Sequence, residues 1–424
     1  MTSQLVVDLE WRGLLAQTTD KEALLAELDK GQTTFYIGFD PTAPSLHVGN
    51  LVVLLVMRRF QLAGHRPIAL VGGATGLVGD PSGRNEERTL NDESIVEEWV
   101  GRIRYQLEKF LDFTNGSNKA EMANNLDWTK ELSALEFLRD VGKHFSVNQM
   151  LAKDSVSSRL EAGGISYTEF SYQVLQGYDF LELYRRENCR LQLGGSDQWG
   201  NIIAGLDLIR KVEGGSAHAF TIPLMTKADG TKFGKTAGGS VWLDPEMTSP
   251  YAFYQYWLNS DDKDVPKLLK VFSFKSREEI EAFILSVETN PGAREAHRAL
   301  AQELTSMVHG EDAMRNVEAA SKALFGQGEL SELDAATLAA ALSQLPRTTI
   351  KKGEAFPTWV DLLAATGVVD SKSAARRIVK ENGAYLNNTK INGEEFTPTE
   401  GDLIHGRYLV LRKGKRDLAA VEVI

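Results

Sequence analysis

TFYIGFDPTAPSLHVGNLVVLLVMRRFQLAGHRPIALVGG, residues 34–73, decides the fold. Its first six residues are aromatic or β-branched apart from one glycine and predict a short buried strand. LHVGNLVVLLVMRRFQLA (46–63) then reads as a long apolar helix, with Ser45 in position to cap its start and Gly64 ending it. PIALVGG (67–73) is a second strand. Strand, helix and strand at this spacing form a βαβ crossover, which requires a parallel sheet.

The pattern recurs downstream. RLQLGG (190–195) is a strand, QWGNIIAGLDLIRK (198–211) the helix after it, and AFTIPL (219–224) another strand. Upstream, Thr19-Asp20-Lys21-Glu22 reads as a capping box for a first helix that closes before Gly31. The expected class is α/β: a doubly wound parallel, Rossmann-like nucleotide-binding sheet over 1–248, with ligands at the carboxyl ends of its strands. Residues 84–185 are helical in pattern and read as an insertion into that sheet domain. A helical, strand-poor domain follows over 249–345. PRTTIKKGEAFP (346–357) reads as a linker, and a small α+β domain closes 346–424. In it WVDLLAAT and the Ser371-capped KSAARRIVKEN are helices, and AYLNN and GRYLVLRKGK are strand candidates.

Composition narrows the class of function. With 424 residues, 42% hydrophobic and 25% charged, the chain can bury a large core without staples. Its single cysteine, Cys189, allows neither an internal disulfide nor a thiolate zinc cluster, so a reducing cytoplasm and no structural zinc are expected. No apolar stretch is long enough for a membrane span, and MTSQLVVDLEWRG lacks the pattern of a secretory leader. The net charge of −11 argues against a general nucleic-acid binder. Residues 351–424 nevertheless carry a net +2, which suits local RNA contact by one small module.

Two stretches carry chemistry. PTAPSLHVGN (41–50) lies between a strand end and a helix start, where free N–H groups favour phosphate. His47 and Asn50 share one face of the first turn, Gly49 allows a planar base to approach, and His47 could donate to a phosphate oxygen. KADGTKFGKT (227–236) gathers Lys232, Lys235 and Thr236 on a glycine loop suited to a polyphosphate. A Walker A loop fails by one residue between Gly230 and Gly234. Each stretch alone also admits a bland reading, a capped helix with an incidental histidine or a solvated basic loop.

Together they are more specific. His47-Val48-Gly49-Asn50 resembles the His-Ile-Gly-His signature of class I aminoacyl-tRNA synthetases, and Lys232-Phe233-Gly234-Lys235-Thr236 resembles their Lys-Met-Ser-Lys-Ser signature in its tyrosyl spelling. YIGFDPTAPSLHVGNL, LVGGATGLVGDPSGR, FSYQVLQGYDF and GGSDQWGNI extend the resemblance to the bacterial tyrosyl branch over essentially the whole chain. The resemblance implies that ATP and L-tyrosine are joined and tyrosine is passed to its tRNA, with Mg2+ accompanying ATP and no residue binding a metal directly. It implies a homodimer built around residues 130–165. Tyr36, Asp80, Asn125, Tyr172, Gln176, Asp179 and Gln198 would serve the tyrosine. Gly38, Asp40, His47, Gly49, Asn50, Gly195, Asp197 and Lys235 would serve ATP. Thr42, His47, Asn50, Arg84, Arg88, Lys232, Lys235 and Thr236 would carry the chemistry, and Arg376, Arg377 and Lys380 would line an RNA face. Tyr172, Gln176 and Asp179 are spaced i, i+4 and i+7, which puts them on one helical face. Asn50 departs from the signature's second histidine, Ile37 stands where relatives often carry Cys, and Arg84 where lysine is common. The alternatives are a tryptophanyl-type synthetase, another nucleotidyltransferase with a helix-start histidine, and an inactive RNA-binding relative.

Overall fold

The computed structural model describes residues 2–82, 92–236, 239–414 and 417–424. Two compact units divide the chain: 1–244 with 261–296, and 245–260 with 297–424.

The first unit is built on a six-stranded sheet. Its strands are β1 (Gln17–Thr18), β2 (Thr34–Phe39), β3 (Arg66–Val71), β4 (Glu121–Asn124), β5 (Cys189–Gly195) and β6 (His218–Ile222), in the spatial order β1-β6-β5-β2-β3-β4. Every pair is parallel except β1 with β6. Strand order reverses beside β2: β3 follows on one side and β5 lies on the other. A crevice at this reversal is where an open parallel sheet binds ligands. Phe35, Tyr36, Ile37 and Phe39 are all buried, as expected of a strand covered on both faces.

Helix starts differ from expectation in two places. The helix Lys21–Asp29 is capped by Asp20, whose side chain accepts from Ala23 N, while Thr19 Oγ1 accepts instead from Ala219 N in the sheet. The helix Val48–Leu62 is capped by His47 and not by Ser45. Ser45 is buried, donates to Leu46 O and accepts from Asp244 N, so its hydroxyl is already used two residues before the helix.

The insertion is narrower than 84–185. The helix Glu93–Leu107 leads into β4, which pairs with β3, so this segment is a further crossover of the sheet. The helix Tyr167–Glu187 is also a sheet-domain element. Its Gly177 meets Gly205 of the helix Trp199–Glu213 so closely that a Cβ there would lie 3.6 Å from the Gly205 Cα. Among the described residues, the short helical pieces between Leu126 and Ala162 are joined by no strand. Phe180, Leu181, Leu183, Leu208 and Ile209 form the core beneath, each worth about 1.5–3 kcal/mol of apolar burial. Residues 261–296, expected in the helical domain, pack with this unit as the helices Val265–Phe272 and Arg277–Thr289. A small hairpin, β7 (Lys235–Thr236) and β8 (Gly239–Ser240), carries the lysine loop.

The second unit holds the helices Pro250–Leu258, Glu311–Leu324, Ala335–Ser343 and most of Glu295–His309. It also holds a five-stranded sheet, in the order β11-β10-β12-β13-β9. These strands are β9 (Arg347–Ile350), β10 (Ala384–Leu386), β11 (Thr389–Lys390), β12 (Tyr408–Lys413) and β13 (Asp417–Val423). The presumed linker is therefore partly an edge strand: Arg-Thr-Thr-Ile is rich in β-branched residues and pairs in parallel with β13. The helices Trp359–Ala365 and Lys372–Lys380 cover this sheet, capped by Thr358 and Ser371, and Trp359 is fully buried with its Nε1 donating to Tyr385 O. Among the described residues no helix is long and apolar enough to cross a membrane.

Candidate active site

Three buried groups, Tyr36, Asp179 and Asn125, lie around the middle of β2. Tyr36 is opposite Ile68 on one side and Gln192 on the other. Its hydroxyl is buried and has no hydrogen-bond partner among the described residues, and burial followed by the Asp179 charge holds it well above the usual phenol range. Asp179, fully enclosed, accepts from Asn125 Nδ2 at 3.0 Å and from Trp128 Nε1 at 2.8 Å. Burial pushes its carboxyl up to about 7, against the downward pull of those two donors. Asn125 is fixed in turn: its Oδ1 accepts from Ala74 N and its Nδ2 also donates to Thr75 Oγ1.

A second layer leads toward the helix starts. Tyr172 Oη donates to one oxygen of Asp40 and Thr75 Oγ1 to the other, both at 2.6 Å. Asp80 accepts from Ser82 N at 2.9 Å and from Gln198 Nε2 at 2.7 Å. Gln176 and Gln192 each present a buried Oε1 without a partner among the described residues. A buried amide oxygen left unpaired costs about 1–3 kcal/mol, so these acceptors suit a donor-bearing ligand. Thr75, Trp128 and Gln192 were not singled out from the sequence. Trp128 carries no local signal, because the indole N–H and the carboxylate it serves are 51 residues apart in the chain.

His47 is held in a reciprocal cap. Its Nδ1 accepts from Gly49 N at 3.0 Å and Asn50 N at 3.3 Å, and Asn50 Oδ1 accepts from His47 N at 3.1 Å. With Nδ1 used as an acceptor, the proton sits on Nε2, the nitrogen left to donate outward. Burial, helped by the Lys235 charge, keeps the ring below the usual histidine range and therefore neutral. Gly49 is needed because a Cβ there would lie 2.7 Å from His47 Cε1. Asn50 thus acts in the cap, which the sequence reading did not foresee.

Lys232, Lys235 and Thr236 are exposed on their loop, with Lys235 near enough to affect His47. Thr42 is exposed ahead of the same helix, Gly38 is the last residue but one of β2, and Gly195 ends β5, followed by the exposed Asp197. The structure thus brings Tyr36, Asp40, Asp80, Asn125, Tyr172, Asp179 and Gln198 into one linked set, and His47, Asn50 and Lys235 into another, with Gln176 on the same helix as Tyr172 and Asp179. Arg84 and Arg88 lie outside the described residues. Arg376, Arg377 and Lys380 lie in the second unit on the helix Lys372–Lys380. Arg376 and Lys380 both pair with Glu394, and Arg377 pairs with Glu381.

The fold and this site define a class. The profile of the family "tRNA synthetases class I (W and Y)" matches residues 28–326, and the chain belongs to that family. Within it the chain groups with the tyrosine–tRNA ligases. The profile "Tyrosine--tRNA ligase SYY-like C-terminal domain" matches 337–421. The tyrosine–tRNA ligase of Streptomyces avermitilis is 62% identical over 423 residues, 99% of each chain. That of Mycobacterium tuberculosis is 56% identical over 425 residues, covering all of both. Among solved structures, a C-terminally truncated mitochondrial tyrosyl-tRNA synthetase of Aspergillus nidulans superposes with a TM-score of 0.69 at 30% identity, over 76% of this chain and 94% of that one. A tryptophanyl-tRNA synthetase of Encephalitozoon cuniculi shares the fold at TM-score 0.54 and 14% identity, over 80% of this chain and 92% of that one.

Proposed function

We propose that the Tyr36–Asp179 pocket binds the phenol of L-tyrosine and that the chain, a tyrosine–tRNA ligase, joins that amino acid to ATP before charging its tRNA. The observation that carries the pocket reading is the buried, unpartnered Tyr36 hydroxyl beside a carboxylate locked by two donors. A phenol has one donor and two acceptor lone pairs, so it can give to Asp179 and take from Tyr36. Phenylalanine would leave the Tyr36 hydroxyl buried and unpaired and would give Asp179 no donor beyond Asn125 and Trp128. Tryptophan's N–H could only donate, leaving Tyr36 without an acceptor, so the tryptophanyl alternative is not favoured. Asp80, Tyr172 and Gln176 hold the ammonium, and Gln198, tied to Asp80, orients the carboxylate.

The tyrosine carboxylate attacks the α-phosphorus of ATP, the bond to pyrophosphate breaks, and tyrosyl-adenylate stays bound. The nucleophile is already ionised, so no general base is needed, and catalysis rests on orientation and charge stabilisation. His47 Nε2–H, Thr42, Lys232, Lys235 and Thr236 take up charge on the departing phosphates, joined by Arg84 and Arg88. Gly38, Asp40, Gly49, Asn50, Gly195 and Asp197 line the nucleotide side. Magnesium arrives on the ATP phosphates. Among the described residues no group of three or more His, Cys, Asp or Glu is arranged to hold a metal. The tRNA's terminal adenosine hydroxyl then attacks the adenylate carbonyl and AMP leaves.

The chain works as a homodimer in the cytoplasm. Leu135, Leu138, Val147, Leu151, Leu160 and Tyr167 are exposed apolar side chains on and beside the short-helix segment, which supports a face covered by a second copy. Residues 346–424 contact tRNA through Arg376, Arg377 and Lys380. The test is to incubate the protein with ATP, magnesium and tyrosine, pass it through a desalting column, and assay the protein fraction for tyrosyl-adenylate. Recovery near one adenylate per dimer or per chain is expected, and none from folded protein contradicts the reading.

A further inference from the structure

Within the lysine loop Lys227 N donates to Thr231 O, Gly230 N to Lys227 O and Phe233 N to Met225 O, Thr226 bridges Lys232, and Val241 N donates to Gly234 O, while the Lys232 and Lys235 side chains are exposed. An unanchored loop would pay ordering entropy at each turnover, and a displacement of about 1 Å of a catalytic group costs on the order of a hundredfold in rate. Part of its support lies in the helix Val265–Phe272, a segment no motif in the sequence singles out.

That helix touches the loop at both ends. At its start, Asp264 Oδ1 accepts from Ala228 N at 2.7 Å. At its end, the fully buried Phe272 ring lies 5.5 Å from the Phe233 ring, the planes tilted by 31°. The helix is itself clamped. Arg12, buried, donates through Nη1 to Lys270 O and Ser273 O at 2.9 Å each, and Arg59 Nη2 donates to Ser273 O at 2.6 Å. Arg59 lies in the last turn of the helix that His47 begins. Gly234 closes the circuit: it has φ +81°, and a Cβ there would lie 2.8 Å from Val48 Cγ2. One rigid path thus runs from His47 through Arg59 to the helix and back to the two lysines.

We infer that Asp264 and Phe272 are positioning residues for adenylate formation, two of the points, beside Lys267 Nζ on Thr226 O, at which this helix seats the Lys232–Lys235 loop opposite His47. The inference rests on the proposed role of those lysines. Asp264 makes no side-chain cap to its own helix, so its carboxylate is free to serve the loop and its removal takes no cap away.

The test is tyrosine-dependent ATP–pyrophosphate exchange by the full-length protein and its variants. Asp264→Ala is expected to lower kcat about tenfold with the tyrosine KM within about twofold, because the pocket is untouched. Asp264→Asn keeps an oxygen for Ala228 N and is expected to restore kcat to within about threefold of wild type. Limited trypsin cleavage after Lys232 and Lys235 is expected to accelerate in Asp264→Ala alone. Wild-type kcat in folded Asp264→Ala, or an equal loss in Asp264→Asn, overturns the seat. Lys235→Ala serves as the control. If it leaves exchange unchanged, the lysine loop itself has been misread and the seat falls with it; if it abolishes exchange, the Asp264 result stands on its own.

Discussion

Trp128 Nε1 donates to Asp179 Oδ1 at 2.8 Å. The indole thus does for one carboxylate oxygen what Asn125 does for the other, and the carboxylate is fixed before any ligand arrives. Trp128→Phe keeps an aromatic ring there but removes the donor along with the five-membered half of the indole. A hydrogen bond to a charged acceptor is worth about 1.5–3 kcal/mol, so kcat/KM for tyrosine should fall by about tenfold or more. The ATP KM should not move. Steady-state exchange kinetics check this, and an unchanged kcat/KM would show that Asn125 alone holds Asp179.

The raised Asp179 carboxyl gives a pH signature. It titrates near 7, mainly because burial disfavours its charge. If the phenol must donate to the ionised form, kcat/KM for tyrosine rises from pH 6 to 8 and flattens above. Stability should run the other way. The folded chain keeps a proton that the unfolded chain releases near pH 4, so this group's contribution declines as pH rises from about 4 to about 7 and is level above. Urea unfolding across that range, compared with the non-titrating Asp179→Asn, isolates the effect. A difference between the two that does not change with pH would contradict it.

His47 has two tasks that one substitution can separate. Its Nδ1 caps the helix and its Nε2 faces outward. Asparagine is a good cap, whereas alanine is not. His47→Asn should therefore melt close to wild type, while His47→Ala loses about 1 kcal/mol. Both should lose about a hundredfold in adenylate formation, the usual cost of a charge-stabilising donor. Calorimetry beside single-turnover kinetics reads both properties. Full activity in His47→Asn would mean that only the cap matters.

Glu394 neutralises part of the expected RNA face by pairing with Arg376 and Lys380. These pairs are exposed and individually weak, about 0–1 kcal/mol. Glu394→Gln should tighten tRNA binding by about twofold to fivefold at low salt, the gain fading as salt rises. Filter binding at two ionic strengths tests this. Weaker binding in the variant would place the RNA on another surface.

The sheet was legible because a buried parallel strand announces itself as an unbroken apolar run, and β2 falls on residues 34–39 as read. The end of the Val48–Leu62 helix was legible for the same reason, but its cap was not: Ser45 is the better cap by type, and only the fold shows its hydroxyl spent on Leu46 and Asp244. Arg-Thr-Thr-Ile looked like linker because its partner strand lies about 70 residues on, and an edge strand has no periodicity to declare it. In the site, the i, i+4, i+7 spacing of Tyr172, Gln176 and Asp179 was visible, since a helix fixes it. The Trp128–Asp179 bond and the Asp264–Ala228 bond join distant segments, and no local pattern encodes either.

The most direct test of the central claim is ATP–pyrophosphate exchange by the purified protein, without tRNA, with tyrosine, phenylalanine and tryptophan supplied in turn. Exchange with tyrosine alone is predicted, from a pocket whose Tyr36 hydroxyl and Asp179 carboxylate are matched only by a phenol. Exchange of comparable rate with phenylalanine or tryptophan would contradict that account of the pocket.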